Sequence, residues 1–199
     1  SLASLDPLLP YLGQLPPGTE ARAFAPGVVN TAAIELNGVF TPDGREFFFA
    51  RQLDGIGTIH HSVLGPEGWS APVPLDVYGG SARSLAVDMA VSPDGDSLYF
   101  LGQHPHPGAP VDPTTDIWVS RRVDGKWSTA EVVPAPVSTA AEELYPVVVA
   151  DGSLYFSSDR DNDAGRLALW RAQRLPEGRF AEPGKLPPPK NHEAGIGDS

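Results

Sequence analysis

The sequence predicts an all-β chain assembled from three copies of one four-stranded antiparallel module. Three features carry that expectation: a turn phrase that occurs three times, an aromatic landmark that recurs in step with it, and abundant turn residues, with 21 Gly and 22 Pro among 199 positions. The turn phrase stands as TPDGREFFFAR from Thr41, SPDGDSLYFLG from Ser92 and VADGSLYFSSDR from Val149. Its glycines, Gly44, Gly95 and Gly152, lie 51 and 57 residues apart. The aromatic landmarks are Trp69 in EGWSAPVPL, Trp127 in GKWSTAEVV and Phe180 in GRFAEPGKL, spaced by 58 and 53 residues. Two markers that repeat together over such a period point to propeller or solenoid units.

Each unit divides into four short apolar runs. The first holds ELNGVFT, EFFFARQ, GTIHHSVL and WSAPVPLD; the second VDMAVS, SLYFLG, DIWVSRR and WSTAEVV; the third LYPVVVA, SLYFSS, LALWRAQ and RFAEPGKL. The Asp-Gly pairs are expected to supply the positive backbone dihedrals of a tight hairpin between the first two runs. Aromatic and β-branched residues crowd the second run, as they do in a strand buried on both faces. Four antiparallel strands per unit make the blade of a β-propeller, here spanning about 34–80, 84–136 and 142–190. Residues 1–33 form an N-terminal segment in which FAPGVVNT, from Phe24, is expected to be the tail of an outermost strand that completes another blade. GIGDS, at the other end, reads as the start of a further innermost strand. Three blades are fewer than the typical four to eight of a closed ring. The chain is therefore expected either to belong to a longer, six-bladed ring or to close through a second copy, and the unpaired last half-strand favours additional blades over self-association.

The phrases FTPDGREFFFAR, VSPDGDSLYF, ADGSLYFSSDR and DIWVSRRVDGKWS, preceded by PYLGQLPPG and FAPGVVNT, resemble the Pro-Asp-Gly repeats of TolB-like, WD-repeat-like β-propellers. The resemblance runs from about Tyr11 to the end of the chain. It implies the fold and, more loosely, an extracytoplasmic (periplasmic or secreted) binding or scaffold protein. Blade motifs specify architecture far better than activity, which resides in particular sites.

The net charge of −11 repels phosphate backbones and anionic headgroups and favours cations and basic partners, so neither nucleic acid nor a membrane surface is expected as a ligand. No Cys is present, which removes disulfides and thiolate metal sites. No apolar run approaches the roughly 18 residues of a membrane span. The first residues, SLASLDPLLPYLGQLPPG, lack a basic n-region, so a signal segment is expected to be absent from this chain.

Loops between the second and third strands of each blade share a face with the connections between blades, at the mouth of the channel. That face is predicted to carry Arg51, Arg83, His104, His106, Glu142, Arg160 and His192 as binding residues for a protein or glycan partner. In DRDNDAG the carboxylates of Asp159, Asp161 and Asp163 alternate, a spacing that suits one hard cation, and calcium is the ion expected. An EF-hand would need Gly and Glu where Ala164 and Trp170 stand. In GQHPHPGAPVDPTTD, His104 and His106 would project to one side of an extended segment, with Asp112, Asp116 or His192 as a third ligand to a transition metal. Against this, the prolines describe a stiff exposed lobe in which the histidines carry no ligand. His60 and His61, adjacent in a strand, are read as packing on opposite faces. Trp69, Trp127 and Trp170 are read as packing between blades. Glu35 and Glu143 each precede the turn Asp by eight residues, which gives them a role in the repeat architecture. No Gly-x-Ser-x-Gly elbow, His-Glu-x-x-His helix or phosphate-cradling loop occurs. The expected function is non-enzymatic binding or scaffolding. The alternative is a metal-dependent hydrolase or lyase acting on carbohydrate at the same face through His104, His106 and His192.

Overall fold

The computed structural model describes residues 10–16, 18–54, 56–80, 84–104, 114–161 and 166–187. Three antiparallel sheets account for its strands. The first contains β1 (Ile34–Phe40), β2 (Glu46–Leu53), β3 (Ile56–Gly65), β4 (Gly68–Trp69) and β5 (Val73–Pro74), with β1-β2-β3 in order and both short outer strands paired to β3. The second repeats the plan with β6 (Leu85–Val91), β7 (Ser97–Gln103), β8 (Asp116–Val123), β9 (Lys126–Trp127) and β10 (Glu131–Val132). The third holds β11 (Glu143–Val148), β12 (Leu154–Ser158), β13 (Ala168–Ala172) and β14 (Gly184–Lys185) in sequential order. These are the three blades. Their inner strands stand side by side, β1 against β6 and β6 against β11, so the sheets stack face to face. Among the described residues, no helix is long and apolar enough to cross a membrane.

The first hairpin of each blade is a four-residue turn closed by its glycine: the Gly44, Gly95 and Gly152 amides donate to the carbonyls of Thr41, Ser92 and Val149, all at 2.8 Å. Only the glycines adopt positive φ, at 69°, 80° and 77°. The expectation that Asp shares the left-handed region is therefore corrected. Each Asp uses its carboxylate instead, accepting from the amide of Arg45, Asp96 or Ser153 at 2.8–3.0 Å. Thr41 and Ser92 add a hydroxyl donor to the first two carboxylates. The arrangement is a type I turn, for which Ser or Thr, Pro, Asp and Gly in succession are suited.

The outer hairpin has its own signature in Trp-Ser. Ser70 Oγ accepts from the Val63 amide while the Ser70 carbonyl accepts from Ser62 Oγ. Ser128, Arg121 and Ser120 repeat both bonds. In the third blade Ala172 and Ala181 occupy the two serine positions, and only the backbone bond from Ala181 to Gln173 remains. A further regular contact is made by the Leu75, Val133 and Leu186 amides, which donate to Ile59, Ile117 and Leu169 at 2.8 Å.

The cores lie between blades, as stacking of two-sided sheets requires. Phe48, Ala50 and Ile59 of the first blade pack with Met89, Leu98, Phe100 and Trp118 of the second. Tyr99, Ile117 and Val119 pack in turn with Leu154, Phe156, Trp170 and Ala172 of the third. Leu12, Phe24, Ala25 and Val29 close the opposite side of blade one over Phe47 and Phe49. Residues 24–31 form a turn, not the outermost strand expected of them. Ala25 and Gly27 have φ of 41° and 79°, and the amides of Val28, Val29 and Asn30 all converge on the Ala25 carbonyl.

The three tryptophans expected to pack between blades divide. Trp127 meets Phe48 of blade one edge-on at 5.5 Å, and Trp170 is buried against blade two. Trp69 meets Phe40 of its own blade and the N-terminal segment, so it does not pack between blades.

Candidate functional site

The loop face is organised by a constellation that occurs in blades one and three. Thr31 donates its amide and hydroxyl to the Glu35 carboxylate at 3.3 and 2.6 Å, and Arg51 Nε donates to the same group at 3.2 Å. Arg51 Nη2 also reaches the carbonyls of Val28 and Val29 at 3.0 and 3.2 Å. In blade three, Thr139 donates its amide and hydroxyl to Glu143 at 2.9 and 2.8 Å, Ser158 at 3.1 Å and Arg160 at 3.0 Å. Arg160 continues to the carbonyls of Pro136, at 2.9 Å, and Val137. Each arginine thus fastens the incoming connection to the second strand of its blade, with a carboxylate as counter-charge, half-buried for Glu35 and buried for Glu143.

The two clamps differ in burial. Burial would raise the Glu35 carboxyl, but the Thr31 donors and Arg51 outweigh it and leave it below the ordinary range. Glu143 is fully buried; there desolvation dominates and pushes the carboxyl up against the opposing pull of Thr139, Arg160 and Ser158.

Among the described residues, blade two has no such clamp. Ala86 pairs with Gly102 where Glu35 pairs with Arg51 and Glu143 with Ser158. The space is filled by Tyr78, whose hydroxyl donates to the Leu85 carbonyl at 2.7 Å, and by Trp118. A Cβ on Gly102 would lie 2.3 Å from Tyr78 Oη, which explains the glycine. His104 stacks on Tyr78 at 4.3 Å, and its Nδ1 shares a hydrogen bond with Ser84 Oγ at 2.8 Å.

Arg51, Glu142 and Arg160 therefore have their charged groups engaged inside the fold. Glu142 Oε2 accepts from the Thr115 amide at 3.1 Å and from its hydroxyl, tying blade three to blade two. Asp159 Oδ1 accepts from the Glu142 amide at 3.0 Å, so one of the expected calcium ligands serves the same tie. Among the described residues, no three His, Asp or Glu side chains gather where a metal ion could be held. Arg83, His106, Asp112, Asp163 and His192 lie outside the described residues, as does most of the His-Pro insertion.

At the opposite end of the blades a second polar cluster links blades one and two. The Glu46 carboxylate receives Arg122 Nη2 at 2.5 Å and Trp127 Nε1 at 3.0 Å, and contacts His61 Nε2 at 2.7 Å. Arg122 lies over the Trp127 ring at 4.3 Å, and His61 stacks on Phe48 at 4.5 Å. His60, on the other face, stacks on Phe49 and is buried, and desolvation pushes its imidazole below the usual range. The expectation of packing roles on opposite faces describes both histidines.

The inner strands hold a feature the sequence did not announce. All three carry a bulge at one level, between Leu36 and Gly38, Val87 and Ala90, and Leu144 and Val147. The residues set there are Asn37, Asp88 and Tyr145, the last two in the left-handed region with φ of 53° and 54°. Bulges of this kind re-aim side chains and recur beside functional sites. Asn37 binds the Met89 backbone through both ends of its amide, at 3.1 and 3.4 Å, pinning β1 to β6 next to Asp88.

No protein-family model matches the chain, and no curated protein matches it. Solved structures similar to it include a TolB from Agrobacterium tumefaciens (21% identity, TM-score 0.47, covering 68% of this chain and 41% of that one) and TolB from Acinetobacter baumannii (16%, TM-score 0.49, 78% and 33%). A glucose dehydrogenase aligns with 16% identity and a TM-score of 0.45 over 81% of this chain and 48% of that one. The chain thus spans between about a third and a half of the length of these proteins.

Proposed function

We propose that this chain is a non-enzymatic, extracytoplasmic binding or scaffold module of the TolB-like kind, which presents its inner-strand surface to a protein partner. The observation that supports this reading is a contrast. Arg51, Arg160 and Glu142 of the loop face are engaged in internal ties, whereas the inner strands expose apolar side chains, with Ile34 58%, Tyr145 56% and Val147 52% accessible. Rigid scaffolds that carry exposed apolar groups beside polar ones are suited to protein recognition. The test is binding to the immobilised chain from an extracytoplasmic extract, followed by purification of the bound partner and titration. Tyr145→Asp is expected to weaken the purified interaction at least tenfold, while Val123→Asp, at the exposed end of β8 in blade two, leaves it unchanged. Equal affinity for both variants would overturn the reading.

A second surface favours further association. Leu169 in blade three occupies the place of Ile59 in blade one and Ile117 in blade two, by the shared amide contact described above. Ile59 and Ile117 are 1% and 0% accessible and Leu169 is 49%. We infer that another blade, or a second copy of the chain, covers this face.

A further inference from the structure

We propose that Asp88 is the anchor of a binding site for the ammonium or guanidinium end of a basic side chain, presented to it at the level of the inner-strand bulges. The proposal rests on the reading that this surface receives a protein partner and gives that partner a chemistry.

Four observations converge on it. The three bulges place Asn37, Asp88 and Tyr145 at equivalent positions on strands that are neighbours in space, so an Asp, an amide and an exposed phenol share one rung. The backbone at Asp88 is held by the bulge and by the bonds from Asn37 to Met89, so the carboxylate is presented by a fixed peptide. The carboxylate itself is half-buried and, among the described residues, makes no hydrogen bond or ion pair. Every other half-buried or buried Glu on the inner and second strands has an arginine: Glu35 has Arg51, Glu46 has Arg122 and Glu143 has Arg160. Burial without a partner pushes the Asp88 carboxyl above its ordinary range, the electrostatic cost that an incoming cation would remove.

The nature of the ligand follows from what surrounds the carboxylate. A single acid, with no His, Asp or Glu gathered beside it among the described residues, does not make a cage for a metal ion. The apolar and aromatic side chains exposed on the flanking strands, Leu36, Tyr145 and Val147, suit a cation carried on an aliphatic stem, as Lys and Arg are. The net charge of −11 adds a long-range field of the matching sign.

The experiment uses the whole chain and defined probes, Nα-acetyl-lysine methylamide and Nα-acetyl-arginine methylamide, with Nα-acetyl-norleucine methylamide as the uncharged stem. Amide chemical shifts are followed by NMR at low ionic strength. Saturable shifts at Asn37, Asp88, Met89 and Tyr145 with both charged probes and not with norleucine are expected. Asp88→Asn should reduce that affinity at least tenfold at an unchanged melting temperature, because Asn keeps the left-handed backbone and removes only the charge. Shifts confined to other surfaces, or an Asp88→Asn variant that titrates like the wild type, would overturn the proposal. These measurements need no macromolecular partner. Failure of the probes therefore counts against the cation site alone, and failure to obtain a Tyr145-dependent partner counts against the scaffold reading alone.

Discussion

Replacing Glu46 by Gln should remove one pH-dependent contribution to stability and leave the rest of the acid titration intact. The carboxylate is held to about 2, against an ordinary value of 4.5. Burial alone would raise it, but the bonds to His61, Trp127 and Arg122, with the charge of Arg122, overcome that effect. A carboxylate with a lowered folded pKa stabilises the fold above its unfolded pKa and loses that contribution as pH falls through the folded one. At about 1.4 kcal/mol per pKa unit, the displacement corresponds to roughly 3 kcal/mol, of which about 2 kcal/mol is lost between pH 7 and pH 3. Glu46 is 14% accessible, so solvent screening removes little of this. The assay is urea unfolding of wild type and Glu46→Gln at both pH values. Other acids titrate equally in both proteins and cancel in the difference. The gap between the two should be about 2 kcal/mol narrower at pH 3 than at pH 7. Parallel stability–pH curves would refute the claim that the cluster holds an ionised Glu46 between blades.

Two further measurements probe the other tied and open regions. Arg160→Ala strands a fully buried Glu143 and should cost about 3–5 kcal/mol in urea unfolding, whereas Arg51→Ala, beside the more accessible Glu35, should cost about 1 kcal/mol; equal losses would contradict the ranking by burial. Sedimentation of the chain should show concentration-dependent association that Leu169→Asp abolishes without lowering the melting temperature, and a wild-type chain that stays monomeric at about 100 μM would rule out a second copy as the cover of this face and leave a further blade.

The blades were legible because their determinants are local. A Thr-Pro-Asp-Gly or Ser-Pro-Asp-Gly phrase encodes a turn within four residues, and the aromatic runs after it encode a strand buried on both sides. The architectural role of Glu35 and Glu143 was legible from their common distance to the turn. Their arginines were not, because Arg51 lies directly across from Glu35 while Arg160 reaches Glu143 from two residues beyond the paired Ser158. Spacing within one strand cannot reveal which residue a long flexible side chain will reach. The bulges escaped for a different reason. Asp88 and Tyr145 adopt positive φ without a glycine to signal it, and the conformation is imposed by packing between inner strands rather than by local propensity. A sequence shows that Arg51, Glu142 and Arg160 are polar and not that the fold itself supplies partners to their charged groups.

The departures from the repeat are as informative as its regularity. Where Ser62 Oγ donates to the Ser70 carbonyl and Ser70 Oγ accepts from the Val63 amide, the third blade has Ala172 and Ala181, so both hydroxyls are absent and the backbone bond alone remains. Where blades one and three place Thr, Glu and Arg, blade two has Ala86, Gly102 and Tyr78, so the carboxylate and guanidinium are absent together and an aromatic ring fills their volume. Losing only the arginine of such a clamp would leave a carboxylate inside the fold without its counter-charge, which is costlier than losing both. Asp88 breaks that pattern: its carboxylate is retained at a constrained inner-strand position with no compensating cation among the described residues. In a fold whose other inner charges are neutralised or removed as sets, a retained solitary charge points to a complement supplied from outside the chain.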